Sequence, residues 1–317
     1  MKFKTYALIF AAVLSFGVKA QDARPISLVV PFSAGSAQDI FARLLSEPLG
    51  HELQTRVLVI NKPGAGGTIA SAFVANAKPD GQTLMLASAS HHLAGALYAN
   101  LSYHPLEDFR GAAFLGVSEF VLLASANMQT PDISSFVSRV KANSKSFNYA
   151  SAGNGSTTHV GMARFLQAAN LEMEHIPLKG TGEIINEVLA GRIQAAMVSS
   201  LSISAYRDDT RIKLLATSGS HRSEFFPKLP TLSESGFPKS EWVVWTGLLA
   251  PKATPIEKLE EINRAMSKVI DDPAMKLRFN QMGIAPQSMS RTKFDNLLKE
   301  DWAQANPLMT QLKKLQD

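Results

Sequence analysis

Between residues 25 and 87 three short β-branched runs alternate with two helical stretches, and this order constrains the fold more than any other feature. Pro25-Ile-Ser-Leu-Val-Val30, Val57-Leu-Val-Ile60 and Thr83-Leu-Met-Leu-Ala87 read as buried strands. Gln38–Leu53 carries Ile40, Phe41, Leu44, Leu45, Leu49 and Leu53 at helical spacing, with Pro48 expected to kink or split it. Thr68–Ala77 is an Ala-rich helix, and Pro79-Asp-Gly81 is a turn. Strands separated by helices form a parallel sheet with crossover connections, each right-handed by default.

The middle of the chain repeats the alternation. Strands are expected at 114–125, 147–150, 174–177, 193–198 and 212–217, with helices at 133–142, 160–169 and 183–189, the last closed by Gly191. A final strand-like run, Trp242-Val-Val-Trp-Thr-Gly-Leu-Leu249, precedes helices at 256–270, 273–283 and 292–315. The fold class is therefore α/β, with two lobes, each a mainly parallel sheet with flanking helices. The division expected is 21–122 plus 248–317 for the first lobe and 123–247 for the second, with strands at 121–125 and 245–251 crossing between them.

Residues 1–20 stand apart. Lys2 and Lys4 precede an apolar run from Tyr6 to Val18, and Val18-Lys-Ala20 ends in a small residue. This is the pattern of a cleaved secretory signal peptide, with Gln21 as the new N-terminus. The run is shorter than the roughly 20 residues of a membrane-spanning helix. The formal net charge is +5, and three of those charges are Lys2, Lys4 and Lys19 of this leader. What remains has no basic cluster, so no nucleic-acid partner is expected. The chain has no Cys, which excludes disulfides, thiolate metal sites and a cysteine nucleophile. A secreted chain without Cys fits a bacterial periplasm.

Most catalytic motifs are missing. Gly64-Ala-Gly66 opens a dinucleotide-type fingerprint, but Ile69 occupies the third glycine position. There is no phosphate-binding Gly-Lys-Ser/Thr loop, no His-Glu-x-x-His and no Gly-x-Ser-x-Gly elbow. Ser138-x-x-Lys141 lies on an amphipathic helix without companions. His91 and His92 at a strand end would face opposite ways and have no acidic cluster beside them. No metal and no cofactor are expected.

Three loops carry the candidate site. The first holds Phe32, Ser33, Ala34, Gly35, Ser36 and Asp39, between a strand and a helix start. Small residues let a ligand approach the backbone, and the free N–H groups of the helix start attract a carboxylate without a basic side chain. Ser36-x-x-Asp39 also has a capping-box pattern. The second loop, placed likewise, holds Gly153, Asn154, Ser156, Thr157 and Thr158, more hydrogen-bonding capacity than a cap needs. Ser156 with His159 would make a nucleophile and base, though no third orienting carboxylate lies nearby in sequence. The third loop ends the strand at residue 87 and holds Ser88 and Ser90, at the same strand edge. Lys179, Ser199 and Ser200 lie in neighbouring segments and complete the candidate set.

Val30-Pro-Phe-Ser-Ala-Gly-Ser-Ala-Gln-Asp39, Asn61-Lys-Pro-Gly-Ala-Gly-Gly67, Pro79-Asp-Gly81, Tyr149-Ala-Ser-Ala-Gly-Asn-Gly-Ser156, His175-Ile-Pro-Leu-Lys-Gly180, Leu229-Pro-Thr231 and Gly247-Leu-Leu-Ala-Pro251 occur in this order. Together they resemble the substrate-binding proteins of the tripartite tricarboxylate transporters, the Bug family, over essentially the whole chain after the leader. The resemblance implies a periplasmic-binding-protein fold with a hinge at the crossing strands. It implies a monomer that captures a small carboxylate and delivers it to membrane permease subunits, and no enzymatic activity. A carboxylate sensor feeding a signalling system would use the same closure, and a Ser156/His159 hydrolase is the enzymatic alternative. Two positions depart from the family pattern. Ser36 stands where a second glycine is usual. Met197-Val-Ser-Ser200 replaces a strand end that commonly carries an acidic residue followed by Asn, so no carboxylate is offered to a ligand ammonium. The expected ligand is an acid without an amino group, aliphatic or aromatic, either of which Phe32 can pack against.

Overall fold

The computed structural model describes residues 24–314 apart from 99, 144 and 145. The expected leader and its cleavage point before Gln21 lie outside the described residues.

The first alternation is present as β1 (Ile26–Val30), α1 (Ala37–Glu52), β2 (Val57–Asn61), α2 (Thr68–Ala75) and β3 (Thr83–Ser88). α1 runs through Pro48 without splitting. A proline inside a helix costs about 3 kcal/mol. Phe41, Leu45 and Leu49 from this helix are buried, each contributing roughly 1.5–3 kcal/mol. Three such side chains outweigh one lost backbone bond. After β3 the structure differs from expectation. Ser90–Leu97 is a helix, α3, so His91 and His92 sit on a helix start rather than a strand end. Both are buried. His91 lies between the Ser71 hydroxyl and the Pro105 carbonyl, at 2.9 and 2.8 Å, and His92 Nδ1 lies 2.6 Å from Asp301.

The chain continues through β4 (Phe109–Ser125), α4 (Ile133–Ala142), β5 (Asn148–Ser151), α5 (Thr157–Ala169), β6 (Glu174–Pro177), α6 (Thr181–Leu189), β7 (Ala195–Ser199), α7 (Ser200–Ser204) and β8 (Ile212–Thr217). It closes with β9 (Val243–Pro251), α8 (Ile256–Asp271), α9 (Pro273–Gln281), β10 (Ala285–Pro286) and α10 (Arg291–Lys314). Each lobe keeps a parallel trio, β2-β1-β3 in the first and β6-β5-β7 in the second. Antiparallel strands complete both sheets. β9 lies between β3 and β4, with Leu86 opposite Leu248 and Phe114 opposite Gly247. β4 is shared: residues up to Glu119 pair with β9, and Phe120 onward lies between β7 and β8. β9 pairs within the first sheet along its length, so the return crossing falls at Trp242–Val243.

One serine fastens both crossings. Ser218 is fully buried. Its N–H donates to the Phe120 carbonyl at 2.8 Å, and its Oγ accepts the Phe120 N–H at 2.9 Å. Its carbonyl accepts the Trp242 N–H at 2.9 Å, and its hydroxyl donates to the Trp242 carbonyl. Around the sheets, α1, α8 and α9 cover one face of the first, where Phe41 meets Phe279 edge-on at 4.9 Å. On the other face one apolar cluster runs from Met85 and Phe294 through Trp245 and Trp242 to Phe165 of the second lobe.

Candidate functional site

The strands β1, β3, β5 and β7 end at the same side of the molecule, and a cleft of about 630 Å³ lies beyond their carboxyl ends. Residues of both lobes line it. The opening residues of five helices reach its wall: Ala37 and Gln38 of α1, Ser90 of α3, Thr157 of α5 after its cap Ser156, Thr181 of α6, and Leu201 and Ser202 of α7 after its cap Ser199. A helix start carries unpaired N–H groups and a partial positive charge. Among the described residues, no Asp, Glu, Lys, Arg or His lines it. The polar lining is Gln38, Asn154 and hydroxyls, including Ser88, Ser90, Ser118 and Thr246, and Ser88 Oγ lies 2.8 Å from Ser90 Oγ. Phe32, Phe41, Leu97, Tyr98, Phe120 and Ile284 supply apolar surface.

The first loop is shaped from below by Asp39. Ser36 caps α1 by accepting the Asp39 N–H at 3.2 Å, half of the expected capping box. The return bond goes one residue further: Asp39 Oδ2 accepts the Gly35 N–H at 2.9 Å and Arg43 Nε at 3.0 Å, while Oδ1 accepts from Asn61 at 2.9 Å. Arg43, then the Gly35 N–H, then Asn61 hold this carboxyl at about 2. The Asn61 amide also donates to the Phe32 carbonyl at 3.0 Å. Asp39 is buried and absent from the cleft wall, so the structure places it as the loop's anchor.

The second loop is held by two histidines. His159 Nδ1 accepts the Gly155 N–H at 3.0 Å. His175 Nε2 lies 2.7 Å from Ser151 Oγ, which donates to the Gly153 carbonyl at 3.0 Å and accepts the Gly153 N–H at 3.1 Å. The two rings stack at 4.0 Å and 3°. Burial, with the neighbouring His175 second, lowers His159 to about 4. Ser156 Oγ accepts the His159 backbone N–H at 3.2 Å and lies 2.9 Å from Thr158 Oγ1. Thr158 Oγ1 in turn accepts the Ala152 N–H at 2.9 Å. Nδ1 of His159 is thus directed at Gly155 and not at the Ser156 hydroxyl, and the nucleophile–base arrangement is not formed.

Of the residues singled out by sequence, Phe32, Ser88, Ser90, Asn154, Ser156, Thr157 and Ser199 line the cleft. Ser33, Ala34, Gly35, Ser36 and Gly153 form the adjoining turns, the first three exposed. Thr158 and Ser200 are buried behind the wall, and Lys179 is exposed with its N–H donating to Glu183. Sequence reasoning missed Ser118 and Phe120 on β4 and Val244 and Thr246 on β9. Each pair is spaced by two, as residues on one face of a strand must be, and that alternation is the signal available. Met282, Gly283 and Ile284, between α9 and β10, were also missed. Here the lobes meet: a Cβ on Gly283 would fall 2.4 Å from Leu201 Cβ, at φ +69°. Across the cleft a Cβ on Gly155, at φ +74°, would fall 2.8 Å from Met309 Cε and 3.3 Å from Leu97 Cδ2.

A family model described as the tripartite tricarboxylate transporter family receptor matches residues 41–314. The chain belongs to that family. Among relatives of this receptor, BugT of Bordetella pertussis is 29% identical over 266 residues, spanning 83% of this chain and 82% of BugT. Among solved structures, MatC of Rhodopseudomonas palustris with bound malate is 28% identical, with a TM-score of 0.75 covering 91% of this chain and 99% of MatC. A TctC solute binding protein from Polaromonas, solved without ligand, is 26% identical, with a TM-score of 0.80 over 92% of this chain and 99% of its own. The receptor therefore has the α/β solute-binding fold expected from its sequence, in a family of solute receptors rather than enzymes.

Proposed function

We propose that this receptor works in the periplasm, closes its lobes on a small carboxylic acid and delivers that acid to membrane permease subunits. The observation that carries the reading is a cleft at the strands' carboxyl ends, walled by helix starts and hydroxyls, with no charged side chain among the described residues that line it. Such a wall recognises a carboxylate by N–H dipoles and geometry. Malate in MatC is a ligand of the same chemistry. The lobes are residues up to 119 together with 243 onward, and 120–242, turning about Phe120 and Trp242. Trp242 reports the motion, since it stands at the crossing itself and its Nε1 donates at 3.2 Å to the carbonyl of Thr157, a residue of the cleft wall.

The ligand is an acid without an amino group. Ser199 reaches the cleft where an acidic partner for an ammonium would stand, and a buried unpaired charge costs several kcal/mol. Calorimetry with succinate and L-aspartate tests both parts. Succinate is expected to bind roughly tenfold or more tightly than aspartate. Equal or tighter binding of aspartate overturns the selectivity. Failure of a panel of mono- and dicarboxylates to bind or to change Trp242 emission overturns the receptor reading itself.

A further inference from the structure

We propose that His159 and His175 are positioning residues that hold the second ligand loop in its binding shape, and that protonation of His159 releases that loop. Neither ring lines the cleft. Both act on backbone that does or that adjoins it. Residues 152–156 turn between β5 and α5 with left-handed glycines at 153 and 155. Such a turn has few bonds of its own, and Ser156 N–H to Gly153 O at 3.2 Å is a long one. Thr158 Oγ1 takes the Ala152 N–H, and the histidines support the bonds at Gly153 and Gly155. His159 ends on the Gly155 N–H, and His175 ends on Ser151, which brackets Gly153 from both its N–H and its carbonyl.

The chemistry fixes the protonation state. An N–H donor at Gly155 requires a lone pair on His159 Nδ1, so the ring is neutral with its proton on Nε2. Ser151 spends its proton on the Gly153 carbonyl and so accepts one from His175 Nε2. A proton added to His159 Nδ1 sets two donors against each other and places a charge against a ring stacked at 4.0 Å.

The surroundings offer that charge little. Tyr149 of β5 stacks on both rings, at 4.9 Å from His175 and 6.3 Å from His159, and burial pushes its phenol pKa up. β7 brings no titratable residue. Glu183 and Glu187 of α6 are engaged with the Lys179 N–H and with Arg192. Glu174 at the start of β6 is exposed, as is Lys239 on the 238–240 turn packed against α5. Arg164, further along α5, carries the same sign as the added proton.

Asn154-Gly155 is the one Asn-Gly pair in the sequence, so carbonyl-13C asparagine with 15N glycine marks a single amide. In the ligand-free protein, the Gly155 resonance is expected to titrate together with the His159 ring, well below the ordinary histidine range. In His159→Asn, whose Oδ1 takes the place of Nδ1, it stays flat with pH and its exchange stays near wild type. In His159→Phe, which keeps the stack but loses the acceptor, the Gly155 amide exchanges roughly tenfold faster at pH 7. A Gly155 amide indifferent to His159 protonation in the wild type, or unchanged in the Phe variant, overturns the proposal. Its consequence for binding rests on the receptor reading. Succinate affinity is expected to fall in His159→Phe and to hold in His159→Asn. Equal affinity in all three proteins removes the histidines from ligand control. A wild type that binds no acid sinks the receptor reading and leaves the amide experiment standing.

Discussion

Gly283→Ala separates what the Gly283–Leu201 contact across the cleft needs from what the fold needs. Two costs follow from the geometry. The first is backbone: at φ +69° an L-residue loses about 1–2 kcal/mol, whatever the lobes do. It appears as a lower unfolding temperature, by roughly 2–4 °C per kcal/mol in a chain of this size class. The second is contact across the cleft. The new Cβ would stand 2.4 Å from Leu201 Cβ and 3.2 Å from Leu201 Cα, where carbons rest at about 3.5–4.0 Å. The lobes must part by roughly 1 Å or strain the backbone, and overpacking of this kind costs about 1–3 kcal/mol. With the lobes closing on ligand as proposed, that cost falls on the closed form, so affinity for succinate should drop roughly fivefold to 150-fold. Calorimetry gives the affinity, and thermal unfolding without ligand gives the backbone cost separately. Leu201→Gly placed on top of Gly283→Ala should recover part of the affinity and none of the unfolding temperature. A Gly283→Ala protein that melts lower yet binds as wild type would show that the Gly283–Leu201 contact is not part of the bound state.

Three further outcomes are expected. Ser156→Ala removes both a helix cap and a cleft hydroxyl, so it should lose about 1 kcal/mol of stability by urea unfolding and roughly tenfold to hundredfold in affinity; loss of stability alone would take the hydroxyl out of ligand contact. His91 is held at about 3, by burial first and the neighbouring His92 second. The unfolded chain then takes up this proton as pH falls below about 6.5, and the folded protein does not. Stability therefore declines from there toward the folded value, and His91→Asn should remove a slope of about 1.4 kcal/mol per pH unit in urea unfolding between pH 6 and pH 4; parallel curves for the two proteins would refute it. N-terminal sequencing of periplasmic material should begin at Gln21, and Met1 retained in a membrane fraction would contradict the leader reading.

The strands and the larger helices were legible because their apolar residues repeat at the period of the element they form. Ile26–Val30 and Thr83–Ser88 are short apolar runs, and α1 shows Phe41, Leu45 and Leu49 one turn apart. α3 was not legible. Its N-cap is Ala89, which offers no side-chain cap, and its Ser-His-His opening lacks the apolar spacing of a helix start. α7 has five residues and β10 two, too short for any period to show. In the site, the loops that follow β1, β3 and β5 could be found because glycine and hydroxyl residues concentrate there. The wall contributed by β4, β9 and the 282–284 turn could not, because its residues come together only through pairings such as Ser118 with Val244. Asp39 was visible as a polar residue beside a ligand loop, but its direction depends on Arg43 and Asn61, and that is a fact of three dimensions.

The shared strand also sets an order of assembly. β3 meets β9 with Met85 opposite Leu249, so the first sheet stays open until the chain has been made almost to residue 251. The second sheet uses only residues 120–217 and can form from one continuous stretch. Closing a longer loop costs more entropy, though slowly, and non-local strand pairing is slow to form. A chain emerging N-terminus first would therefore complete its middle before its beginning, and β1, β2 and β3 would wait with an unpaired edge for a strand that arrives late. That interval is when this protein is most exposed to mispairing, and when a holding chaperone would have most to protect.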